Sequence, residues 1–150
     1  MPQSHSKILL HIAFSTKNRR ASLTPSTRSG LYPYAASVLK NLECPATEIG
    51  GTEDHLHLLC GLPRSLSVAQ LVEGFKKPTS KWLKAQGVDF GKFQWQSGYA
   101  AFSVSPSLAP RVAQYIQKQE EHHQKVDFKD EFRKLLAAHS IAYDEEYVWD

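Results

Sequence analysis

Hydrophobic and polar positions alternate along Lys7–Ser15, with Ile8, Leu10, Ile12 and Phe14 on one side and Leu9, His11 and Ala13 on the other. Period-two alternation predicts a strand. Thr24-Pro25 predicts a helix start, since proline suits the first turn, and the helix runs to about Asn41, before Cys44-Pro45 breaks it. Ala46–Gly50 predicts a short second strand, residues 51–53 a tight turn, and the segment up to Gly61 a third strand. Ser67-Val68-Ala69-Gln70 matches a capping box. The helix it opens carries Val68, Leu71, Val72 and Phe75 at core spacing, and Pro78 should kink or end it unless the turn there restarts. Phe90–Gln96 reads as an aromatic-rich loop and Tyr99–Ser105 as a fourth strand. Ser107 is placed to cap a helix from about Leu108 to Lys125, and Asp127 a last helix to about Ala138.

The order strand-helix-strand-strand-helix-strand predicts an α+β chain with a ferredoxin-like antiparallel sheet (βαββαβ), followed by a tyrosine-bearing helix and a further helix. No repeat or linker divides it, so residues 1–150 are expected to form a single domain. In this fold the first and third strands are neighbours, which brings His11 toward the third strand.

The third strand holds the chemistry. In Asp54-His55-Leu56-His57-Leu58-Leu59-Cys60, strand parity puts His55 and His57 on one face with Leu59, and Leu56, Leu58 and Cys60 on the other. The second face reads as core. The first presents two imidazoles side by side on a rigid element, as a divalent metal requires, and Cys60 points away from them. On the late helix Tyr115 and Gln119 stand at i and i+4 and should stack on one face, with His122 and His123 continuing along it. A core tyrosine flanked by Val112 and Ile116 is the competing reading of that helix.

Composition narrows the setting. The chain has 150 residues, 41% of them hydrophobic, enough for a core that buries roughly 68–70% of the unfolded surface. The N-terminus, Met1 to Ser6, is polar, and no stretch approaches the ~20 apolar residues of a membrane span, so a cytoplasmic location and no membrane partner are expected. Two cysteines without a CxxC exclude a disulfide framework. The net charge of +3 matters less than its distribution. Lys17, Arg19 and Arg20 cluster after the first strand, and Lys76 and Lys77 lie with Lys81 and Lys84 on the capping-box helix. These are candidate contacts to nucleic-acid phosphates, or plain solvated faces. Trp82, Phe93, Trp95 and Tyr99 are candidates to stack on bases, or core residues.

Phe14-Ser15-Thr16-Lys17-Asn18-Arg19-Arg20, Asp54-His55-Leu56-His57-Leu58-Leu59, Trp95-Gln96-Ser97-Gly98-Tyr99-Ala100-Ala101-Phe102, Tyr115-x-x-x-Gln119-x-x-His122-His123 and Tyr143-Asp144-Glu145-Glu146-Tyr147-Val148-Trp149 occur in that order. Together they resemble the single-tyrosine HUH transposases, which include the REP-associated tyrosine transposases. The resemblance implies that His55, His57 and Gln119 bind Mg2+ or Mn2+. It implies that Tyr115 attacks a DNA phosphate to form a covalent 5′-phosphotyrosine, and that the substrate is single-stranded DNA with hairpin ends. It further implies a homodimer in which the tyrosine helix serves either its own or the partner's histidines. Asp54, His11 and His122 are candidates to support the metal site from behind its ligands. Pro78 and Ala100 depart from the family pattern without touching this chemistry. A domesticated protein that binds or processes hairpin DNA without element mobility would carry the same residues. An RNA-binding sheet would instead place aromatics where His11, His55 and His57 stand.

Overall fold

Residues 2–150 are described by the computed structural model; the polar N-terminal stretch begins at Met1, which lies outside the described residues. Strand β1 (Leu9–Ser15) alternates as its sequence demands: Leu10, Ile12 and Phe14 enter the main core, whereas Ile8 precedes the strand and is exposed. Helix α1 (Pro25–Asn41) starts at Thr24, whose hydroxyl accepts the Thr27 N–H. Strands β2 (Ala46–Gly51) and β3 (His55–Gly61) follow, joined by the expected tight turn. Helix α2 (Val68–Lys84) opens with the complete capping box of Ser67 and Gln70. After a short 3-10 turn at Val88–Phe90 come β4 (Ala100–Val104) and helices α3 (Ala109–Gln117), α4 (Gln119–His122) and α5 (Phe128–Ala138).

The sheet is antiparallel throughout, in the order β2-β3-β1-β4, the ferredoxin-like arrangement. Leu10, Ile12, Phe14, Leu56, Leu58 and Cys60 pack beneath Leu31, Ala35 and Leu39 of α1 and Leu71, Val72 and Phe75 of α2. The register pairs Ala13 with His57, Ser15 with His55 and His11 with Phe102, so all of these share the opposite face. A second cluster grows there from Ala100 and Phe102 to Phe128, Phe132 and Leu136 of α5. No helix among the described residues is long and apolar enough to cross a membrane.

Two expectations about the late helix fail, and Pro78 does not end α2, which runs on to Lys84. Pro78 cannot donate to the Gly74 carbonyl. Beside it the Thr79 hydroxyl donates to the Phe75 carbonyl at 2.7 Å and itself accepts from Trp95 Nε1 at 3.1 Å. The late helix, by contrast, is not continuous. It breaks at Lys118 (φ −95°, ψ 18°), between Tyr115 and Gln119, and its start at Leu108 has no side-chain cap; the Ser107 hydroxyl pairs with that of Ser105. No glycine or proline causes this break. Gln119 instead finds its partners in tertiary contacts, described below.

Helix α3 lies directly on β2. A Cβ at Gly50 would stand 2.5 Å from the Ile116 carbonyl oxygen and 2.8 Å from Ile116 Cγ2. Gly50→Ala should therefore push α3, and Tyr115 with it, off the sheet. The expected loss is about 1–3 kcal/mol, as in other overpacked sites, read from denaturant unfolding; a wild-type midpoint would refute the close approach.

Candidate active site

His55 and His57 are fully buried, their ring centroids 5.2 Å apart. Each ring spends its Nδ1 on a neighbour behind it and turns Nε2 toward a common point. His55 Nδ1 lies 2.7 Å from Asp54 Oδ1 and 3.1 Å from the Thr52 hydroxyl. His57 Nδ1 lies 2.7 Å from His11 Nε2. The first contact is the carboxylate–histidine arrangement that orients metal-binding imidazoles. Burial opposes ionisation of Asp54, but its hydrogen bonds to His55 and Thr52 together with the nearby His55 and His123 imidazoles outweigh this and hold the carboxyl below its ordinary range. His11 stands behind His57, and burial together with that imidazole lowers it to about 3, leaving it neutral. Burial likewise lowers His57.

At the centre stands a residue that the motif reading passed over. Glu131, in the first turn of α5, is 2% exposed. Its Oε1 lies 2.9 Å from His57 Nε2 and 3.6 Å from His55 Nε2. Its Oε2 accepts from the Tyr115 hydroxyl and from Gln119 Nε2, the latter at 3.0 Å. Gln119 Oε1 in turn lies 2.8 Å from His55 Nε2. His122 and His123 approach the same carboxylate at 3.5 and 3.1 Å. The His123 contact is too bent for a hydrogen bond, so that buried nitrogen has no partner. Burial disfavours the charged carboxylate, but the imidazoles of His123, His57 and His55 overcome it and hold Glu131 well below the usual range. Burial raises the Tyr115 phenol far above its ordinary value, and the Glu131 charge adds to the effect. The signal for Glu131 was present in the sequence: one acid on the apolar stripe of Phe128, Phe132 and Leu135.

The donor set fits a divalent ion. His55, His57 and Glu131 offer ligand atoms within 4.8 Å of one another, as do His122, His123 and Glu131. The orphaned His123 nitrogen and a carboxylate crowded by imidazoles are what a cation between them would resolve.

The basic residues line two clefts, one of which takes in Lys17, Lys76, Lys77, Lys81 and Lys84. Lys17 and Arg20 line a cleft of about 190 Å3 that also takes in Asn18, Asp89 and Lys92. Arg19 leaves that cleft and lies over the Trp149 ring, 5.8 Å from its centroid. Lys77 is exposed and pairs with Glu73 one turn back. Lys76 is half-buried: its ammonium donates to the carbonyls of Gln96 at 2.7 Å and Gly98 at 2.8 Å and lies over the Phe14 ring. Phe93 and Trp95 are buried in the core, Trp95 edge-on against both Phe14 and Phe93, and Trp82 stacks on Tyr34. Of the four candidate stacking aromatics Tyr99 is 38% exposed and Trp82 half-buried.

Among solved structures, a crystal structure at 1.90 Å of a candidate transposase from Deinococcus radiodurans R1 matches with a TM-score of 0.61. The identity is 20%, over 79% of this chain and 98% of that one. A REP-associated tyrosine transposase bound to a REP hairpin also matches at 0.61, with 15% identity over 84% of this chain and 74% of that one. At these identities the likeness is one of fold. No curated protein matches the sequence. The profile described as "Transposase IS200 like" matches residues 4–119, a stretch that holds β1, His55, His57, Tyr115 and Gln119. With that stretch covering most of its length, the chain belongs to the IS200-like transposase family.

Proposed function

We propose that the chain is a metal-dependent DNA transposase and single-strand endonuclease that cleaves and rejoins single-stranded DNA through a covalent 5′-phosphotyrosine on Tyr115. One observation carries the reading: the Tyr115 ring lies 5.7 Å, centroid to centroid, from His57 of the same chain, with its hydroxyl directed into the buried His–Gln–Glu cluster. A packing tyrosine has no need of such company.

His55, His57 and Gln119 would hold Mg2+ or Mn2+, with Asp54 and His11 fixing the two rings from behind. When bound, the ion supplies charge stabilisation at the scissile phosphate. The chain's own residues do the rest. The Tyr115 oxygen forms a bond to phosphorus as the bond from phosphorus to the preceding 3′ oxygen breaks, and that oxygen leaves as a 3′-hydroxyl after taking up a proton. The phosphotyrosine conserves the phosphodiester bond, so a later 3′-hydroxyl can reverse the step without an external energy source. At rest, burial and the Glu131 charge keep the phenol protonated, which restrains attack until substrate and ion are in place. Lys17 and Arg20 beside their cleft, Arg19 and Lys77 are assigned to phosphate contacts.

Tyr115 and the histidine pair come together within one chain, so the proposed homodimer is not needed to assemble a site. A second reading, a domesticated processor of hairpin DNA without element mobility, draws support from the likeness to the hairpin-bound REP-associated enzyme. Hairpin repeats scattered through the genome, rather than a pair flanking the gene, would favour it.

With Mn2+ and a labelled single strand bearing the element's end hairpin, wild-type protein should carry label through a denaturing gel and Tyr115→Phe should carry none. Label on the variant would sink the nucleophile assignment. His55→Ala should weaken Mn2+ binding, measured by calorimetry, by more than about 100-fold, whereas Asp54→Ala should cost about 10–100-fold, the usual effect of removing a residue that orients a ligand. Unchanged affinity in either variant would refute that residue's role.

A further inference from the structure

Glu131 lies outside the stretch that carries the family match, residues 4–119, yet the site converges on it. Its helix is anchored by apolar packing: Phe128, Phe132 and Leu136 of α5 pack on Ala100 and Phe102 of β4, and the Phe128 ring lies 4.6 Å from that of His55. The carboxylate is thus delivered by a rigid element rather than a loop. Its two oxygens face different partners. Oε1 faces His57, His55 and His123. Oε2 takes the Tyr115 hydroxyl and the Gln119 amide, with His122 at the edge.

The spacing is that of ligands rather than of an ordinary ion pair. Neighbouring ligand atoms of an octahedral ion with bonds of about 2.1 Å stand about 3 Å apart. His57 Nε2 to Glu131 Oε1 is 2.9 Å and His55 Nε2 to Gln119 Oε1 is 2.8 Å, while His55 Nε2 to Glu131 Oε1, at 3.6 Å, needs only a small adjustment. Charge argues the same way. Two imidazoles and an amide are neutral, whereas Mg2+ and Mn2+ favour carboxylate oxygen. A buried carboxylate without a cation is costly, and nothing else at this centre carries a fixed positive charge.

We propose that Glu131 is itself a ligand of the divalent ion, through Oε1, and that through Oε2 it positions the Tyr115 hydroxyl beside that ion. Helix α5 thereby couples ion binding to the placement of the nucleophile. The inference rests on the metal-and-tyrosine reading above and can fail separately from it.

Mn2+ affinity of the full-length protein, measured by electron paramagnetic resonance, provides the test. Wild type and Tyr115→Phe should bind alike, and Glu131→Gln, which keeps the shape and removes the charge, should bind about tenfold or more weakly. Equal affinity of Glu131→Gln and wild type would overturn the ligand role alone, whereas failure of wild type to bind Mn2+ would overturn the metal reading beneath it. A measurement on wild type avoids any folding defect of the variant. Mn2+ bound to protein made in a cell-free system with carboxyl-13C glutamate should show both imidazole nitrogen and carboxylate carbon couplings; nitrogen couplings without the carbon would refute the ligand role. For the second half, 3-fluorotyrosine at position 115 should shift its fluorine resonance on saturation with Mg2+ in wild type and not in Glu131→Gln. Equal shifts in the two saturated proteins would refute the coupling.

Discussion

Strands β1 and β3 are covered on both faces, and only one of those faces is apolar. The other carries His11, Ser15, His55 and His57, all buried. A buried polar group left without a partner costs about 1–3 kcal/mol, so a set of imidazoles in that position must be surrounded by groups that satisfy it. Asp54 and Thr52 do this for one ring and His11 for the other, while Gln119 and Glu131 approach from helices that cross the sheet. The packing of α3, α4 and α5 follows from that requirement as much as from their apolar residues.

Electrostatics then distribute the roles. Glu131 keeps its charge in a buried place only because imidazoles crowd it, and its charge, added to burial, makes the nearby phenol harder to ionise. The same group therefore holds Tyr115 in position and restrains it. Burial keeps His57 neutral, the state in which an imidazole nitrogen can accept a cation. The site is a balance among groups that would each be expensive alone. Such balances concentrate at functional centres.

Close approach matters as much as charge. Gly50 sits opposite His57 in the sheet and lets α3 lie on β2 with no side chain between them. On the far face, α2 runs on through its interior proline, and beside it Trp95 and Thr79 form a hydrogen-bond chain to the Phe75 carbonyl. Lys76 is drawn from the surface into the carbonyls of Gln96 and Gly98. There it steadies the loop whose Gln96 amide holds the Val148 carbonyl.

Local pattern placed the four strands, α1, the start of the capping-box helix and α5 close to their true bounds, because each depends on local alternation, caps and proline. Parity alone separated His55 and His57 from Cys60. Neither could show that the late helix breaks at Lys118, because no local residue demands it; the break follows from Gln119 reaching His55 and Glu131 across the sheet. Nor could local pattern show Trp95 as buried or Lys76 as half-buried, since their partners come from α2, β1 and the 96–98 loop. The sequence by itself determined which side chains share a face, a property of backbone geometry that spans a few residues. The tertiary structure decided which faces meet. The partners of Glu131 lie up to 76 positions away in the chain, and only the packing of α5 against β4 brings that carboxylate between the two imidazoles.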